Sequence, residues 1–170
     1  MMAVTGEILP DDPGYLLEFD EVYDTYPDDL WEAITTPDRL ARWMAVYRGE
    51  FRLGGHWQAM RLDGEVYCDG EVTSCERPVG FTTTWTVVGE QPTIVTVQLE
   101  PEGSRTRLRL RHEHVTRLET GAGWHAYLEG LTGHLADPAA ERDREGWARR
   151  FDELEPAYAA RFAALTPPAP

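Results

Sequence analysis

The sequence contains no lysine and no asparagine, so all 16 of its basic residues are arginine. The absence of lysine excludes Schiff-base chemistry on a lysine amine and the phosphate-binding lysine of a P-loop. Acidic residues outnumber basic ones by 30 to 16, which gives a formal net charge of -14 at pH 7. Because a negative field repels phosphate backbones and anionic lipid headgroups, we expect neither nucleic acid nor a membrane as a partner.

Long apolar runs are also missing, as is a basic segment ahead of an apolar run near the N-terminus. The sequence therefore predicts neither a membrane-spanning helix nor a signal peptide. Its two cysteines, Cys68 and Cys75, are seven residues apart in one predicted strand. This odd spacing directs them to opposite faces, where they cannot form a disulfide. Since unpaired thiols are typical of a reducing compartment, we expect a cytoplasmic protein.

The motifs of nucleophilic, redox and metal chemistry are missing as well. There is no Gly-x-Ser-x-Gly elbow, no Gly-x-Gly-x-x-Gly loop, no Cys-x-x-Cys pair and no His-Glu-x-x-His segment. His112 and His114 are two apart on a predicted strand, which places both on one face, but the local sequence supplies no third metal ligand. We therefore predict no catalytic residue, no cofactor and no bound metal.

What the sequence does contain is enough for one globular domain of 170 residues, with 42% hydrophobic residues and six tryptophans. A core with so many large rings needs close packing, or it leaves gaps that a ligand can fill. The positions of proline and glycine predict four segments: a flexible lead-in at 1–14, a main domain at 15–136, a helical extension at 137–165 and a disordered tail at 166–170.

The main domain begins with patterns of a strand and of two short helices. Rough alternation predicts a strand at 15–23, and Pro27 and Pro37 each suit the first turn of a helix within residues 26–45. About six antiparallel strands follow up to residue 115, with a hairpin turn at Asp63-Gly64. The last of them alternates Leu108, Leu110 and His112 with Arg107, Arg109 and Arg111, which predicts one dry face and one face of cross-strand charge pairs.

The C-terminal third has helical periodicity. An apolar stripe of Trp124, Leu128, Leu131 and Leu135 predicts an amphipathic helix at about 122–136. His125 and Glu129 fall off this stripe, so we expect both to face solvent. Asp137 and Pro138 then predict a second helical start, and Pro156 is expected to end or kink the helix that follows.

Five segments, in this order and spacing, carry a family resemblance: PDDLWEAITTPDRLARWM (27–44), Gly54-Gly55 with Trp57, ERPVGFTTTW (76–85), TRLRLRHEHV (106–115) and GWHAYLEGL (123–131). The pattern resembles the START-like, SRPBCC superfamily, and most closely the branch named after the activator of the ninety-kilodalton heat-shock chaperone's ATPase. The resemblance implies an α+β helix-grip fold. Six to seven curved antiparallel strands would surround a long C-terminal helix and enclose a cavity.

Eight residues are predicted to line this cavity and bind a ligand: Trp57, Cys68, Trp85, Leu110, His112, Trp124, Tyr127 and Leu131. A ring-lined cavity suits a small apolar or aromatic molecule. The resemblance leaves two alternatives: an accessory domain that acts through its surface on a protein partner, and a polyketide cyclase with His112 or Tyr127 as the acid-base group. The helical extension could cover one end of the cavity or form a homodimer contact.

Overall fold

The computed structural model describes residues 6–165, which form one eight-stranded antiparallel sheet and four helices. The strands lie in the order β1-β2-β8-β7-β6-β5-β4-β3. Their bounds are β1 Gly6–Pro10, β2 Tyr15–Tyr23, β3 Val46–Gly49, β4 His56–Met60, β5 Val66–Glu76, β6 Gly80–Val87, β7 Thr93–Glu102 and β8 Arg105–Val115. The helices are α1 Pro27–Thr35, α2 Pro37–Leu40, α3 Thr120–Ala136 and α4 Arg144–Leu165.

The predicted α+β class, the two short helices and the hairpin are confirmed. Pro27 and Pro37 occupy the first turns of α1 and α2, where no amide donor is needed. Gly64 takes a positive φ of 87° in the turn between β4 and β5. Three of the four arginines of β8 reach carboxylates on its neighbours, with Arg107 2.7 Å from Asp20, so the outer face of the sheet carries the predicted charge pairs. The other two are Arg109 with Glu100 at 3.3 Å and Arg111 with Glu18 at 3.3 Å.

The predicted lead-in at 1–14 is wrong over Gly6–Pro10, because this segment is a strand that pairs with β2. Its backbone is fixed from the far end of the chain, since Gly6 donates its N–H to the buried hydroxyl of Tyr158 at 3.1 Å. The sheet therefore has eight strands instead of six or seven. Residues 1–5 and the predicted disordered tail, 166–170, lie outside the described residues.

Two irregularities in the strands overturn predicted side-chain directions. The pairing of β2 with β8 shifts register near His114, which has a positive φ of 65°. As a result Val115, and not His114, is the next buried residue after His112. His112 and His114 therefore do not share a face, and His114 lies 3.1 Å from Asp11. A similar shift in β5 pairs Cys75 with the buried Phe81 and turns it to the same face as Cys68, although both thiols are free.

α3 packs its buried face on the sheet, and α4 packs on α3 and on β1. α4 begins at Arg144, later than the predicted start at Pro138, and Asp143 accepts the N–H of Gly146 at 2.9 Å as its N-terminal cap. The helix continues through Pro156 to Leu165 instead of ending there. Among residues 6–165, no helix combines the length and the apolar character needed to cross a membrane.

His125, predicted to face solvent, is buried between α3 and α4. Its Nδ1 lies 2.8 Å from the hydroxyl of Tyr158, and its Nε2 lies 2.9 Å from Glu129. Glu129 also accepts hydrogen bonds from Arg150 at 2.9 Å. The periodicity of α3 did not predict the burial of His125, because this face of α3 is covered by another helix, α4, and not by the sheet.

Tyr158→Phe should lower the free energy of unfolding by about 1–2 kcal/mol, because the substitution leaves the Gly6 N–H and His125 Nδ1 without their shared partner. Urea unfolding followed by tryptophan fluorescence measures the change. Tyr26→Phe is the matched control, since Tyr26 is 64% exposed and should cost nothing measurable. Equal stabilities of the two variants would contradict the proposed link between β1, α3 and α4.

Candidate functional site

A cavity of about 950 Å³ lies between the inner face of the sheet, α3 and the first turns of α4. This volume is in the range of sites that enclose a small organic molecule. The sheet contributes side chains from the six strands β3 to β8. From the helices come Gly123, Trp124 and Tyr127 of α3 and Trp147 and Phe151 of α4. The helical extension therefore forms one wall of the cavity.

Aromatic rings line this cavity in an unbroken series. The ring centroids of Trp85 and Trp124 are 5.3 Å apart, and those of Trp124 and Tyr127 are 6.5 Å apart. Tyr127 lies 4.8 Å from Trp147, which is stacked on Phe151 at 5.3 Å. Such a wall offers flat apolar surface and several positions for offset or edge-on stacking with a bound ring.

Of the eight residues predicted to contact a ligand, the structure brings five together at the cavity: Cys68, Trp85, His112, Trp124 and Tyr127. The other three, Trp57, Leu110 and Leu131, lie deeper in the core. Trp57 is 1% exposed and donates its indole N–H to Thr83 at 2.7 Å. Leu110 and Leu131 line a separate apolar void of about 40 Å³. All three residues lie on the inward face that was predicted for them. Strand and helix periodicity specify which face a residue occupies, but not whether its position along the element reaches the cavity.

His112 is held by hydrogen bonds on both ring nitrogens. Trp124 donates its indole N–H to His112 Nδ1 at 3.0 Å. The proton is therefore on Nε2, which lies 2.7 Å from the Thr93 hydroxyl, and that hydroxyl donates to the Trp85 carbonyl at 2.7 Å. Burial lowers the pKa of His112 to about 3. His112 is thus a neutral group that positions two tryptophans of the cavity wall.

Two other polar groups on the inner wall are also neutral. Burial raises the pKa of the Cys68 thiol far above its ordinary value, so the thiolate needed for nucleophilic chemistry is not formed at pH 7. Burial likewise raises the pKa of the Tyr127 phenol. The inner wall therefore offers a ligand aromatic surface and neutral polar groups.

The outer part of the cavity carries charged residues that sequence reasoning did not assign to the site. Arg117 lies 2.6 Å from Glu119 and 3.5 Å from Glu90. Arg142 lies on the segment between α3 and α4, and its guanidinium carbon is 5.6 Å from the Tyr127 ring centroid. The sequence pattern did not indicate Arg142 as a cavity residue, because it predicted that residues 137–165 are helical, whereas Arg142 lies before the start of α4. Trp147 and Phe151 lie one helical turn apart on α4, a spacing that indicates a buried face but does not distinguish core from cavity wall.

The sequence matches the family model described as Activator of Hsp90 ATPase homolog 1-like protein, abbreviated AHSA1, over residues 24–136. The match runs from the residue after β2 to the end of α3 and covers most of the chain. The chain belongs to this family. The resemblance inferred from its motifs is thereby confirmed. No curated protein matches this AHSA1-family chain.

Solved structures resemble the AHSA1-family chain over most of its length. CalU16 from Micromonospora echinospora has a TM-score of 0.76 and 25% identity, covering 95% of this chain and 99% of that one. DynU16, from the dynemicin biosynthetic locus, has a TM-score of 0.67 and 23% identity, covering 76% and 49%. PFC0360w, an HSP90 activator from Plasmodium falciparum, has a TM-score of 0.53 and 23% identity, covering 60% and 74%. The likeness to the last two shows the shared fold alone.

The helix-grip fold expected from the resemblance is confirmed by these likenesses and by the observed arrangement of sheet and helices. The AHSA1 match ends at Ala136, so α4 and its part of the cavity wall lie beyond it. CalU16 covers 95% of this chain, which extends the shared fold into α4.

Proposed function

We propose that this AHSA1-family protein binds a small apolar or aromatic molecule in the cavity between the sheet, α3 and α4. The observation that carries the proposal is a cavity of about 950 Å³ beside the hydrophobic core. A concave space of this volume that is lined mainly by apolar and aromatic side chains is typical of small-molecule binding sites. The series of rings along its wall favours a flat aromatic one.

The chemistry of the inner wall supports binding over a cyclase reaction. An acid-base catalyst needs a pKa near the working pH and a free nitrogen or oxygen that reaches the substrate. His112 has both nitrogens engaged and a pKa of about 3. The thiol of Cys68 and the phenol of Tyr127 are both held in their neutral forms. The two free thiols support the cytoplasm as the compartment of action.

A protein partner is the second candidate, supported by the family description, which names an Hsp90 ATPase activator. The two candidates predict different measurements. A surface-acting protein raises the ATPase rate of a purified Hsp90-type chaperone, and a change in the cavity leaves that rate unaltered. A cavity ligand-binding protein takes up an aromatic probe and loses it when the cavity is filled.

Gly123→Phe should weaken binding of the neutral aromatic probe N-phenyl-1-naphthylamine by about tenfold. Gly123 lines the cavity on α3, and a side chain at this position meets nothing within 4 Å of its Cβ, so the new ring extends into the open space. Titration followed by probe fluorescence and by quenching of the nearby tryptophans measures the dissociation constant. The melting temperature should not fall, because glycine is a poor helix residue.

Gly133→Phe is the matched control. Gly133 lies on the same helix, is exposed, and also has no heavy atom within 4 Å of the added Cβ, but it is not part of the cavity wall. Its variant should bind the probe as the unmodified protein does. Absence of probe binding by the unmodified protein, or equal binding by both variants, would rule out the cavity as the binding site.

A further inference from the structure

The charge lining the cavity is opposite in sign to that of the whole molecule. Five arginines line it, Arg48, Arg61, Arg117, Arg142 and Arg144, against three carboxylates, Asp63, Glu90 and Glu119. The net charge of the lining is therefore positive, in a chain with 30 acidic and only 16 basic residues. A concave positive region on a strongly negative protein attracts anions into the cavity and repels them elsewhere.

Arg142 has donor capacity that the described part of the chain leaves unused. Its Nε is buried and has no hydrogen-bond partner among residues 6–165, and no carboxylate of that range lies within 4.0 Å of its guanidinium. The guanidinium carbon lies 5.6 Å from the ring centroid of Tyr127 and 5.8 Å from that of Trp147. Burial lowers the pKa of Arg142, as expected for a cation that has given up water without gaining a carboxylate.

Trp147 leaves a second donor unused at the same place. Its indole Nε1 is buried without a hydrogen-bond partner in the described range, and the residue lines the cavity beside Arg142. Buried donors are nearly always paired in folded proteins, so two unpaired donors on neighbouring residues that both line the cavity indicate an acceptor that enters with a ligand. By contrast, Arg117 at the same cavity already has Glu90 and Glu119 as partners.

We propose that Arg142 and Trp147 bind the carboxylate of an aromatic acid whose ring system occupies the ring-lined part of the cavity. This inference rests on the proposed ligand-binding function and specifies its ligand class. The carboxylate supplies the acceptor that Arg142 Nε and Trp147 Nε1 lack, and charge-assisted hydrogen bonds of this kind are the strong ones. The apolar body stacks on the aromatic wall that begins at Tyr127 and Trp147.

A pair of probes separates the two parts of this proposal. N-phenyl-1-naphthylamine is neutral, and 8-anilino-1-naphthalenesulfonate is the same ring system with an added anionic group, which stands in for the carboxylate. We expect the anionic probe to bind about tenfold more tightly to the unmodified protein. Arg142→Gln should weaken the anionic probe about tenfold and change the neutral probe by less than twofold.

Arg105→Gln is the control for the change in net charge, because Arg105 is exposed at the start of β8 and away from the cavity lining. It should leave both affinities unaltered. Trp147→Phe keeps a ring and removes only the indole N–H, so it should weaken the anionic probe about threefold and serves as the test if Arg142→Gln does not fold.

The outcomes are distinct. Two results would overturn the carboxylate site and leave the proposed function standing, provided that the neutral probe binds. In the first, the anionic probe binds the unmodified protein no more tightly than the neutral probe. In the second, neither substitution changes the affinity for the anionic probe. Equal weakening of both probes by Arg142→Gln also overturns the carboxylate site, because that result describes a packing role. Failure of both probes to bind the unmodified protein overturns the proposed function and this inference together.

Discussion

His112→Gln should destabilise the protein at pH 7 by about 1–3 kcal/mol, and this deficit should disappear or reverse by pH 4. At neutral pH the substitution disrupts the hydrogen bonds that His112 makes with Trp124 and Thr93. Below pH 6.5 a second effect enters, because burial holds the pKa of His112 at about 3 in the folded protein. The unfolded chain then binds a proton that the folded chain does not, so the unmodified protein loses stability as the pH falls.

The size of this effect follows from the pKa difference. Each pH unit between about 6.5 and about 3 costs roughly 1.4 kcal/mol, which gives a shift of roughly 3 kcal/mol in favour of the variant between pH 7 and pH 4. Urea unfolding of both proteins at the two pH values measures it. His56→Gln is the control, since His56 is exposed on β4. A constant difference between variant and unmodified protein would show that His112 binds its proton equally in the folded and unfolded states, and would contradict the lowered pKa.

The fold could be predicted where local chemistry and tertiary structure agree. The alternation in β8, the Asp63-Gly64 turn and the prolines at the starts of α1 and α2 each determine local geometry without help from distant residues. A buried inner face and a charged outer face follow from the same alternation. The order of these signals along the chain was enough to identify the family, and with it the helix-grip arrangement.

The remaining features depend on contacts far apart in the sequence. β1 is held by Tyr158, 152 residues away, and the bulge at His114 lies where Asp11 accepts its N–H at 2.8 Å. Neither contact leaves a periodic trace in the sequence. The depth of the cavity could not be predicted either, because it depends on which aromatic rings pack into the core and which line the open space. Trp57 and Trp85 share an inward face, yet only Trp85 reaches the cavity.

The position of Trp57 behind the cavity wall depends on a single glycine. Gly70 lies opposite Trp57 in the β4–β5 pair, and the indole ring crosses over it. A Cβ at Gly70 would lie 2.5 Å from Cζ2 of Trp57 and closer still to the backbone carbonyl of Thr84 on β6. Neither neighbour can give way easily, because the ring is fully buried and the carbonyl belongs to a central strand.

Gly70→Ala should therefore lower the free energy of unfolding by about 3 kcal/mol or more, which is large for one methyl group and reflects overpacking against fixed backbone. Because Trp57 lies 5.0 Å behind Trp85, the displaced ring should also shift the cavity wall and weaken N-phenyl-1-naphthylamine binding. Thermal unfolding and probe titration measure the two effects. Gly133→Ala is the control, since its Cβ meets nothing within 4 Å and alanine favours the helix by up to about 1 kcal/mol. A Gly70→Ala protein as stable as the unmodified one would mean that Trp57 does not lie against this strand and that the wall behind Trp85 is built differently.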